Sequence, residues 1–546
     1  MTIARRLQQW MAGTLAGRAA AVAVAAAMVG CAGLPSQVQR PVSQAAAPQI
    51  AAATTLGRIA EASRGGSSGA ESADAAVSGF RLLPSGEQAL DARIALLRRA
   101  EATIDVQYYL IASDTTGLQF LRELRDAAAR GVRVRLLVDD LYAVGQDELY
   151  AGLAAHPNVE VRLFNPLPVR DGSFASRIVF SLHDFARINR RMHNKLFVVD
   201  NSFAIAGGRN IADEYFGRAE PANFIDMDVL ATGPVVRELS AVFDAYWRSE
   251  HAFPVQSLAG HETARMAQAV LRQFDETVAD VPPVEPVTTP DALGQSAVAV
   301  QLAAGHIEQH PGHARVLADA PNKIDTRDGT DGEVMQAHLE LIRSAQSEVL
   351  IASPYFVPGE RGLAAIRQAM ARDVHLSVMT NSLATTDEPL VHQGYAKYRY
   401  ALLRMGASLY ELMPGAGERA TDDSSFGNSG SRASLGRLHA KLAVVDEQRV
   451  AIGSMNMDRR SAHSNTEVGL VIDSAEIAEQ MVTLLRRDRM PKSYRVRIAA
   501  GSSQQLEWAA PHDGQTEQVL STEPSASFGQ SLRLRLAAQV IGDEML

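Results

Sequence analysis

Two segments of the chain carry histidine, lysine, aspartate and asparagine at the same spacing. The histidine and the lysine stand two residues apart, four apolar residues separate the lysine from the aspartate, and the asparagine ends a glycine-containing stretch. The residues are His193, Lys195, Asp200 and Asn210 in the first segment and His439, Lys441, Asp446 and Asn456 in the second. Side chains two apart in a strand share a face, so each histidine–lysine pair should point together at a charged ligand.

The aspartate of each segment is interpreted as a structural support. Asp200 begins the sequence Asp-Asn-Ser and Asp446 begins Asp-Glu-Gln, both typical of turns, and apolar residues then return as a second strand. We therefore expect these two carboxylates to stabilise turns through hydrogen bonds.

The returning strands end in small residues, Gly207-Gly208 in the first segment and Gly453-Ser454 in the second. Glycine lets the backbone approach a ligand closely. Asn210 and Asn456, two or three residues later, could donate an amide N–H to an oxyanion.

Two carboxylates farther along the chain are candidates to orient the histidines. Asp226 follows the first segment and Glu467 the second. Each could accept the Nδ1 proton of a motif histidine, which fixes its tautomer and raises its basicity. Asp228 is an alternative to Asp226.

Both segments belong to a larger internal repeat. Apolar residues at helical spacing, strand-like runs and the two motifs recur at a nearly constant offset. The alternation of strand, helix and strand predicts an α/β fold with mixed sheets and helices outside them. The predicted units are a half at 76–255, a connector at 256–312, a half at 313–500 and a tail at 501–546, with an exposed loop at Pro414–Arg437.

The composition is that of a globular protein. The chain has 546 residues, 46% hydrophobic and 21% charged, which argues against a polytopic membrane protein or a mostly disordered chain. Its formal net charge of −9 provides no general attraction for nucleic acid, although a local basic groove stays possible. The single cysteine, Cys31, excludes an internal disulfide framework and a cysteine-cluster metal site.

The first thirty residues contain arginines and no acid, and an apolar run ends in Met28-Val-Gly-Cys31. This pattern predicts a signal peptide over residues 1–30. A small residue before a lone cysteine resembles the bacterial lipoprotein signal, in which the cysteine is acylated. The alternative is an ordinary signal peptide with a chance cysteine. Residues 31–75, rich in Ala, Ser, Gln, Gly and Pro, are predicted to form a flexible tether.

The paired motif resembles the signature of the phospholipase D superfamily, H-x-K-x4-D-x6-G-[SG] followed by asparagine, and both copies match at every position. Arg191-Met192-His193, Gly207–Asn210 and Asn381–Asp387 resemble the cardiolipin synthase branch, particularly its C type. The tail lacks the tryptophan-bearing hydrophobic end of that type.

The resemblance implies two pseudo-symmetric α/β/α halves packed around one active site, to which each half gives a histidine, a lysine and an asparagine. It implies that His193 is the nucleophile and His439 the general acid and base, although the sequence leaves the reverse order open. Lys195, Lys441 and the two asparagines would stabilise the phosphate charge, and Ser454 would add a hydroxyl on one side. No metal or cofactor is implied.

We expect a phosphatidyltransferase that moves a phosphatidyl group to the hydroxyl of a second phospholipid. The alternatives are phospholipid hydrolysis, a nuclease, and a non-catalytic lipoprotein that binds phosphate headgroups. Phospholipids are the expected partners and nucleic acid is not, while a helper protein stays possible. The lipid anchor at Cys31 would place the protein in the bacterial cell envelope, facing the periplasm.

Three further segments have open or structural interpretations. Tyr108-Tyr109 and Tyr246-Trp247 are expected to be core aromatics rather than substrate contacts. The alternating leucines from Leu532 to Leu536 fit either an edge strand or a membrane-surface segment.

Overall fold

A computed structural model describes residues 34–35, 37–65, 77–170, 173–258, 267–326, 329–415, 435–502, 505–510 and 517–524. The predicted signal peptide with Cys31, most of the predicted loop at Pro414–Arg437 and the leucines of the tail lie outside these residues. Among the helices that are described, none is long and apolar enough to cross a membrane.

The first half contains a mixed eight-stranded sheet in the order β1-β8-β6-β5-β2-β3-β4-β9. Strands β2, β3 and β4 are parallel, and the other neighbours are antiparallel. The strands of this half, of which β7 lies outside this sheet, are β1 (Ser78–Leu83), β2 (Thr103–Tyr108), β3 (Arg133–Asp139), β4 (Val159–Phe164), β5 (Leu196–Val199), β6 (Phe203–Gly207), β7 (Ala222–Ile225), β8 (Asp228–Thr232) and β9 (Ala252–Pro254).

The second half repeats this topology. Its sheet runs β10-β17-β16-β15-β11-β12-β13-β18-β19-β20, again with three parallel strands, β11 to β13. The strands are β10 (His310–Ala318), β11 (Glu348–Ala352), β12 (His375–Asn381), β13 (Ser408–Leu412), β14 (Leu435–Leu438), β15 (Leu442–Val445), β16 (Arg449–Gly453), β17 (Val468–Asp473), β18 (Ser493–Ile498), β19 (Leu506–Ala510) and β20 (Gln518–Leu520).

Helices flank both sheets. They are α1 (Pro48–Ala53), α2 (Thr55–Gly65), α3 (Gly86–Arg99), α4 (Thr115–Ala129), α5 (Asp147–Ala154), α6 (Phe174–Phe180), α7 (Phe185–Ile188), α8 (Pro234–Arg248), α9 (Val255–Leu258), α10 (Ala267–Ala279), α11 (Val298–Ala303), α12 (Glu333–Ser344), α13 (Gly359–Met370), α14 (Pro389–Arg404) and α15 (Ala475–Thr483).

Strand alternation divides the apolar residues among three core layers. In β5, Phe197 and Val199 enter the outer core of the first half, whereas Leu196 and Val198 enter a central core. That central core contains residues of both halves together with helices α8 and α15, and a third layer covers the outer face of the second sheet. The predicted α/β fold with two repeated halves is therefore confirmed.

The two sheets are also joined through their backbones. Strand β1 pairs antiparallel with β10, which links the halves into one continuous sheet. Separately, β7 of the first half and β14 of the second form a parallel pair. The halves therefore share hydrogen bonds as well as a core.

The structure differs from the sequence-based boundaries in three places. Residues 48–65, predicted as flexible tether, form α1 and α2, because Leu56 and Ile59 pack into the outer core of the first half. This segment is so rich in alanine that its few larger apolar residues, such as Leu56 and Ile59, do not stand out as a helical pattern in the sequence. The predicted connector at 256–312 holds α10 and α11, whose Phe274 and Leu302 join the same core, and β10 begins inside it. Strands β19 and β20 extend the second sheet into the predicted tail.

The motif aspartates stabilise two equivalent turns. Asp200 accepts hydrogen bonds from the backbone N–H groups of Glu101, Ala102 and Thr103, at 2.7 Å from the nitrogen of Ala102. Asp446 accepts from the N–H groups at 346–348, where β11 begins. Asp200 and Asp446 have φ angles of 50° and 56°, in the left-handed region that aspartate tolerates in turns.

We predict that Asp200→Ala destabilises the protein more than Asp446→Ala. Asp200 is fully buried, so its loss leaves buried N–H groups without acceptors at a cost of about 2–3 kcal/mol. Asp446 is partly exposed, and water can replace it at a cost of about 1 kcal/mol. Urea denaturation of both variants measures the difference, and equal or reversed losses would contradict this account.

Candidate active site

The chain leading to each motif histidine pairs with the other half of the molecule. His193 donates its backbone N–H to the carbonyl of Thr466 at 2.9 Å, and Met192 forms a parallel bridge with Thr466. His439 likewise donates to the carbonyl of Ile225 at 2.8 Å, at the end of the β7–β14 pair. Thr466 and Ile225 directly precede Glu467 and Asp226. The pairing therefore places each histidine beside the carboxylate of the opposite half.

The side chains complete this crossing. Nδ1 of His193 lies 3.0 Å from Oε2 of Glu467, and Nδ1 of His439 lies 2.6 Å from Oδ2 of Asp226. All four residues are buried. A carboxylate on Nδ1 leaves Nε2 of each ring as the reactive nitrogen. The sequence suggested both carboxylates but not the exchange between halves.

Asp228, the alternative carboxylate, serves another purpose. Its Oδ2 binds Nη2 of Arg93 at 2.9 Å and lies 3.3 Å from Nη1 of Arg209. These buried ion pairs connect the end of the first motif to helix α3. Asp226, and not Asp228, therefore faces a motif histidine.

The strand ends hold the residue that precedes each histidine. Oδ2 of Asp139, the last residue of β3, accepts the backbone N–H of Met192 at 2.8 Å. Oδ1 of Asn381, the last residue of β12, accepts the N–H of Leu438, also at 2.8 Å. Our sequence reasoning assigned neither residue a role in the site. Both residues end the second parallel strand of their half, and this equivalence could have identified them from the sequence.

The two carboxylates have unlike surroundings. Glu467 accepts hydrogen bonds from the hydroxyls of Ser454, at 2.5 Å, and Ser461, at 2.8 Å. The hydroxyl of Ser454, expected to contact phosphate, is instead directed to Glu467. At the corresponding position of the first half, a Cβ on Gly208 would lie 2.1 Å from Oδ1 of Asp226. Glycine there is required by the close approach of the carboxylate.

Both motif lysines are buried beside their histidines. Nζ of Lys195 donates to the carbonyl of His193 at 2.7 Å, and Nζ of Lys441 donates to the carbonyl of His439. Burial lowers the pKa of Lys195 to about 7 and that of Lys441 to about 8, against the raising effect of the nearby carboxylates. Since Lys441 also lowers the pKa of His193 and Lys195, and Lys195 lowers the pKa of Glu467, the charges of the two motifs act on one another across the halves.

Burial and partner charges set the ionisation of the four central groups. Burial lowers the pKa of His193 to about 4, despite Glu467, and it also lowers the pKa of His439, despite Asp226. Burial alone would raise the pKa of both carboxylates. The histidines and lysines outweigh it, holding the pKa of Asp226 at about 2 and that of Glu467 below its usual value. These shifts favour neutral imidazoles and ionised carboxylates at pH 7.

The asparagines retain unused hydrogen-bonding capacity. Nδ2 of Asn210 donates to the hydroxyl of Tyr215 at 2.8 Å, which leaves its second N–H unused by that bond. Oδ1 of Asn210 and Oδ1 of Asn456 are buried without a protein partner. Buried polar groups of this kind usually meet a ligand or water. The asparagines therefore lie where a polar ligand would satisfy them.

Aromatic rings contact each histidine. The ring of Tyr109 lies 5.0 Å from that of His193, and the ring of Tyr215 lies 5.1 Å from that of His439. The expectation that Tyr108-Tyr109 is core holds for Tyr108, which is fully buried, but not for Tyr109. Adjacent residues at a strand end face opposite ways, and this alternation was the overlooked signal. Tyr246 and Trp247 are buried core residues, as expected.

Metal-ligand geometry occurs away from the motifs. Within the described ranges, two groups bring three suitable side chains together, namely Glu250, His251 and Asp325, and His392, Glu411 and Glu523. The second group is occupied by Arg399, which forms ion pairs with Glu411 at 2.7 Å and Glu523 at 2.6 Å. Neither group contains a motif residue.

Two histidines with crossed carboxylates, two lysines and two asparagines thus lie together, and this set of groups can carry out group transfer at a phosphodiester. Residues 94–247 and 338–489 match the family model described as "Cardiolipin synthase, PLD-like domain". The chain belongs to this family, within the phospholipase D superfamily. The family and the class of enzyme predicted from the sequence, a phospholipase D-type phosphatidyltransferase, are confirmed.

Curated relatives and a solved structure agree with this assignment. Cardiolipin synthase C of Escherichia coli is 36% identical over 468 residues, covering 83% of this chain and 93% of that protein. Cardiolipin synthase A of Pseudomonas fluorescens is 27% identical, covering 75% of this chain and 68% of that protein. Phosphatidylserine synthase of Haemophilus influenzae has the same fold, with a TM-score of 0.54 at 13% identity, covering 86% of this chain and 95% of that one.

We predict that Gly208→Ala inactivates the enzyme without unfolding it. The added methyl group displaces Asp226, so His439 loses its orienting partner, and kcat should fall by about a hundredfold or more. Ser454→Ala is the matched control from the other half. It removes one donor from Glu467 but leaves the His193–Glu467 hydrogen bond, so kcat should fall less than about tenfold. Initial rates and thermal unfolding test both variants, and a Gly208→Ala rate close to wild type would contradict this role of Asp226.

Proposed function

We propose that this enzyme transfers a phosphatidyl group from one phospholipid to the hydroxyl of a second through a phosphohistidine intermediate. The observation that carries this proposal is the crossed pairing of His193 with Glu467 and of His439 with Asp226 around two buried lysines. Two oriented imidazoles supply the nucleophile and the proton donor that a two-step displacement requires.

In the first step, Nε2 of His193 attacks phosphorus and the bond from phosphorus to the headgroup oxygen breaks. The departing alcohol takes the proton from Nε2 of His439. In the second step, Nε2 of His439 removes the proton from the incoming hydroxyl, whose oxygen attacks phosphorus as the phosphorus–nitrogen bond breaks. His193 and His439 return to their initial protonation states, so the cycle is balanced.

The surroundings of the carboxylates favour this order of histidines. Two serine hydroxyls share the charge of Glu467, which leaves His193 less able to hold a second proton. Asp226 is nearer to its histidine, at 2.6 Å, and receives no serine hydroxyl among the described hydrogen bonds. This close carboxylate would stabilise an imidazolium, as a general acid requires, against Nζ of Lys441, which lies 3.0 Å from the same Nδ1 and lowers the pKa of His439.

Lys195 and Lys441, with Asn210 and Asn456, stabilise the negative charge on the non-bridging phosphate oxygens. A bound phosphodiester anion raises the pKa of both lysines and of His439, restoring the charges that burial opposes. Asp200 and Asp446 act at a distance by stabilising the turns that follow the motif strands.

Phospholipids are the proposed donor and acceptor, supported by the names of the bacterial relatives. Acylation of Cys31 would hold the protein in the cell envelope with the catalytic halves facing the periplasm. A tethered enzyme meets lipid at high effective concentration. The anchor would therefore hold the protein at the bilayer, although its negative net charge gives it no attraction for anionic lipids.

We predict that expression in a cardiolipin-deficient bacterial host produces cardiolipin or a related lipid with two phosphatidyl groups. Mass spectrometry of the extracted lipids measures the product. His193→Ala and His439→Ala should each lower its formation by at least about a thousandfold, because neither step proceeds without both imidazoles. His375→Ala, at an exposed position of β12, is the control and should have no effect.

The lipid analysis also separates the alternatives. Phosphatidic acid as the sole product would show that water, and not a lipid hydroxyl, captures the intermediate. Unchanged lipid composition with folded wild-type protein would contradict the proposal.

We predict that His439→Asn accumulates a covalent phosphatidyl group on His193. A substrate with a p-nitrophenol leaving group needs no acid in the first step, whereas the second step still needs the base. Peptide mass spectrometry should find labelled His193 in this variant and no label on His439 in His193→Asn. Label on His439 in the His193→Asn variant would reverse the assignment.

A further inference from the structure

Two tyrosines lie near opposite ends of the active site in unlike surroundings. Tyr109 and Tyr355 each follow the first parallel strand of their half. The ring of Tyr109 packs against Tyr142, with the ring centres 5.1 Å apart, and against His193. The hydroxyl of Tyr355 instead donates to Oδ2 of Asp387 at 2.7 Å. An aromatic cluster thus lies at one end and a phenol–carboxylate pair at the other.

Asp387 breaks the pseudo-symmetry of the two halves. It lies in the segment Asn381–Asp387 that follows β12, and alignment of β12 with β3 places Gly145 at its position in the first half. A Cβ on Gly145 would have nothing within 4 Å, and the side chain of this segment that packs near the site is that of Tyr142, against Tyr109. Both motifs are duplicated in full, whereas this acid is present on one side.

Asp387 lies on the side of the site that contains His439. The bridge between Phe356 and Met457 sets Tyr355 beside Asn456. Burial lowers the pKa of Lys441, and Asp226 and Asp387 are the carboxylates that most oppose this lowering. Oδ1 of Asp387 is buried and has no hydrogen-bond partner. This acceptor is therefore available to a ligand held next to Lys441.

We propose that Tyr355 and Asp387 form a subsite for a headgroup alcohol that carries more than one hydroxyl. The inference rests on the proposed function, in which the departing and the entering alcohol both exchange a proton with His439. One hydroxyl reacts at phosphorus, and a second donates to Oδ1 of Asp387, which otherwise stays unsatisfied. A neutral polyol suits this position better than a cation, because Lys441 already provides positive charge there.

Competition between two alcohols tests this subsite. The wild type and each variant receive a phosphatidyl donor with a p-nitrophenol leaving group, together with equal concentrations of glycerol and propan-1-ol. Mass spectrometry gives the ratio of phosphatidylglycerol to phosphatidylpropanol, which is independent of the amount of active enzyme. Asp387→Asn should lower this ratio by about tenfold, as expected for loss of one charged hydrogen bond.

Two further variants make the result specific. Tyr355→Phe removes the hydroxyl that donates to Asp387 and should lower the ratio by a smaller factor. If Asp387→Asn fails to fold, the ratio measured for Tyr355→Phe tests the subsite. Glu388→Gln changes the neighbouring exposed carboxylate and should leave the ratio unchanged.

Transfer products with an unchanged ratio in Asp387→Asn and Tyr355→Phe would overturn the subsite alone. The same competition is run with ethanolamine in place of glycerol. If the variants lower transfer to ethanolamine, relative to propan-1-ol, but not transfer to glycerol, the subsite binds a cation and the polyol assignment is wrong. Phosphatidic acid as the only wild-type product would overturn the proposed function and the subsite with it.

Discussion

The site depends on the backbone pairing that carries each histidine to the carboxylate of the opposite half. Glu467 and Asp226 are fully buried, and each meets an imidazole that its own half does not provide. Separating the halves would take each carboxylate from its imidazole and expose the apolar residues of the central core to water. The shared central core and the β1–β10 pairing keep the halves together, so assembly of the site and association of the halves are one event.

Pseudo-symmetry gives the site two copies of each reactive group, and small departures from it give the copies different properties. Gly208 allows Asp226 to approach the backbone, whereas Ser454 uses its hydroxyl to share the charge of Glu467. The two histidines consequently have unlike surroundings, although their motifs are alike. A reaction that needs one neutral and one protonated imidazole is served by this difference.

The sequence predicted the fold, and it singled out the histidines, lysines and asparagines that the structure brings together, because both are duplicated and duplication makes spacing informative. It did not predict the exchange of carboxylates, since nothing in a linear repeat states which half a side chain faces. Ser454 was misassigned for the same reason, because its partner Glu467 is known only from the packed structure. The helices at 48–65 were missed because their apolar pattern is short. The contact of Tyr109 with His193 was missed because the alternation of side chains at the end of β2 was not considered.

The crystal structure of a vanadate complex would test the crossed, shared site most directly. The account predicts a five-coordinate vanadium bonded to Nε2 of His193, with the oxygen on the opposite side hydrogen-bonded to Nε2 of His439. Nδ1 of each ring should remain on Glu467 and Asp226 respectively. Vanadate held by the residues of one half, or each histidine paired with a carboxylate of its own half, would contradict it.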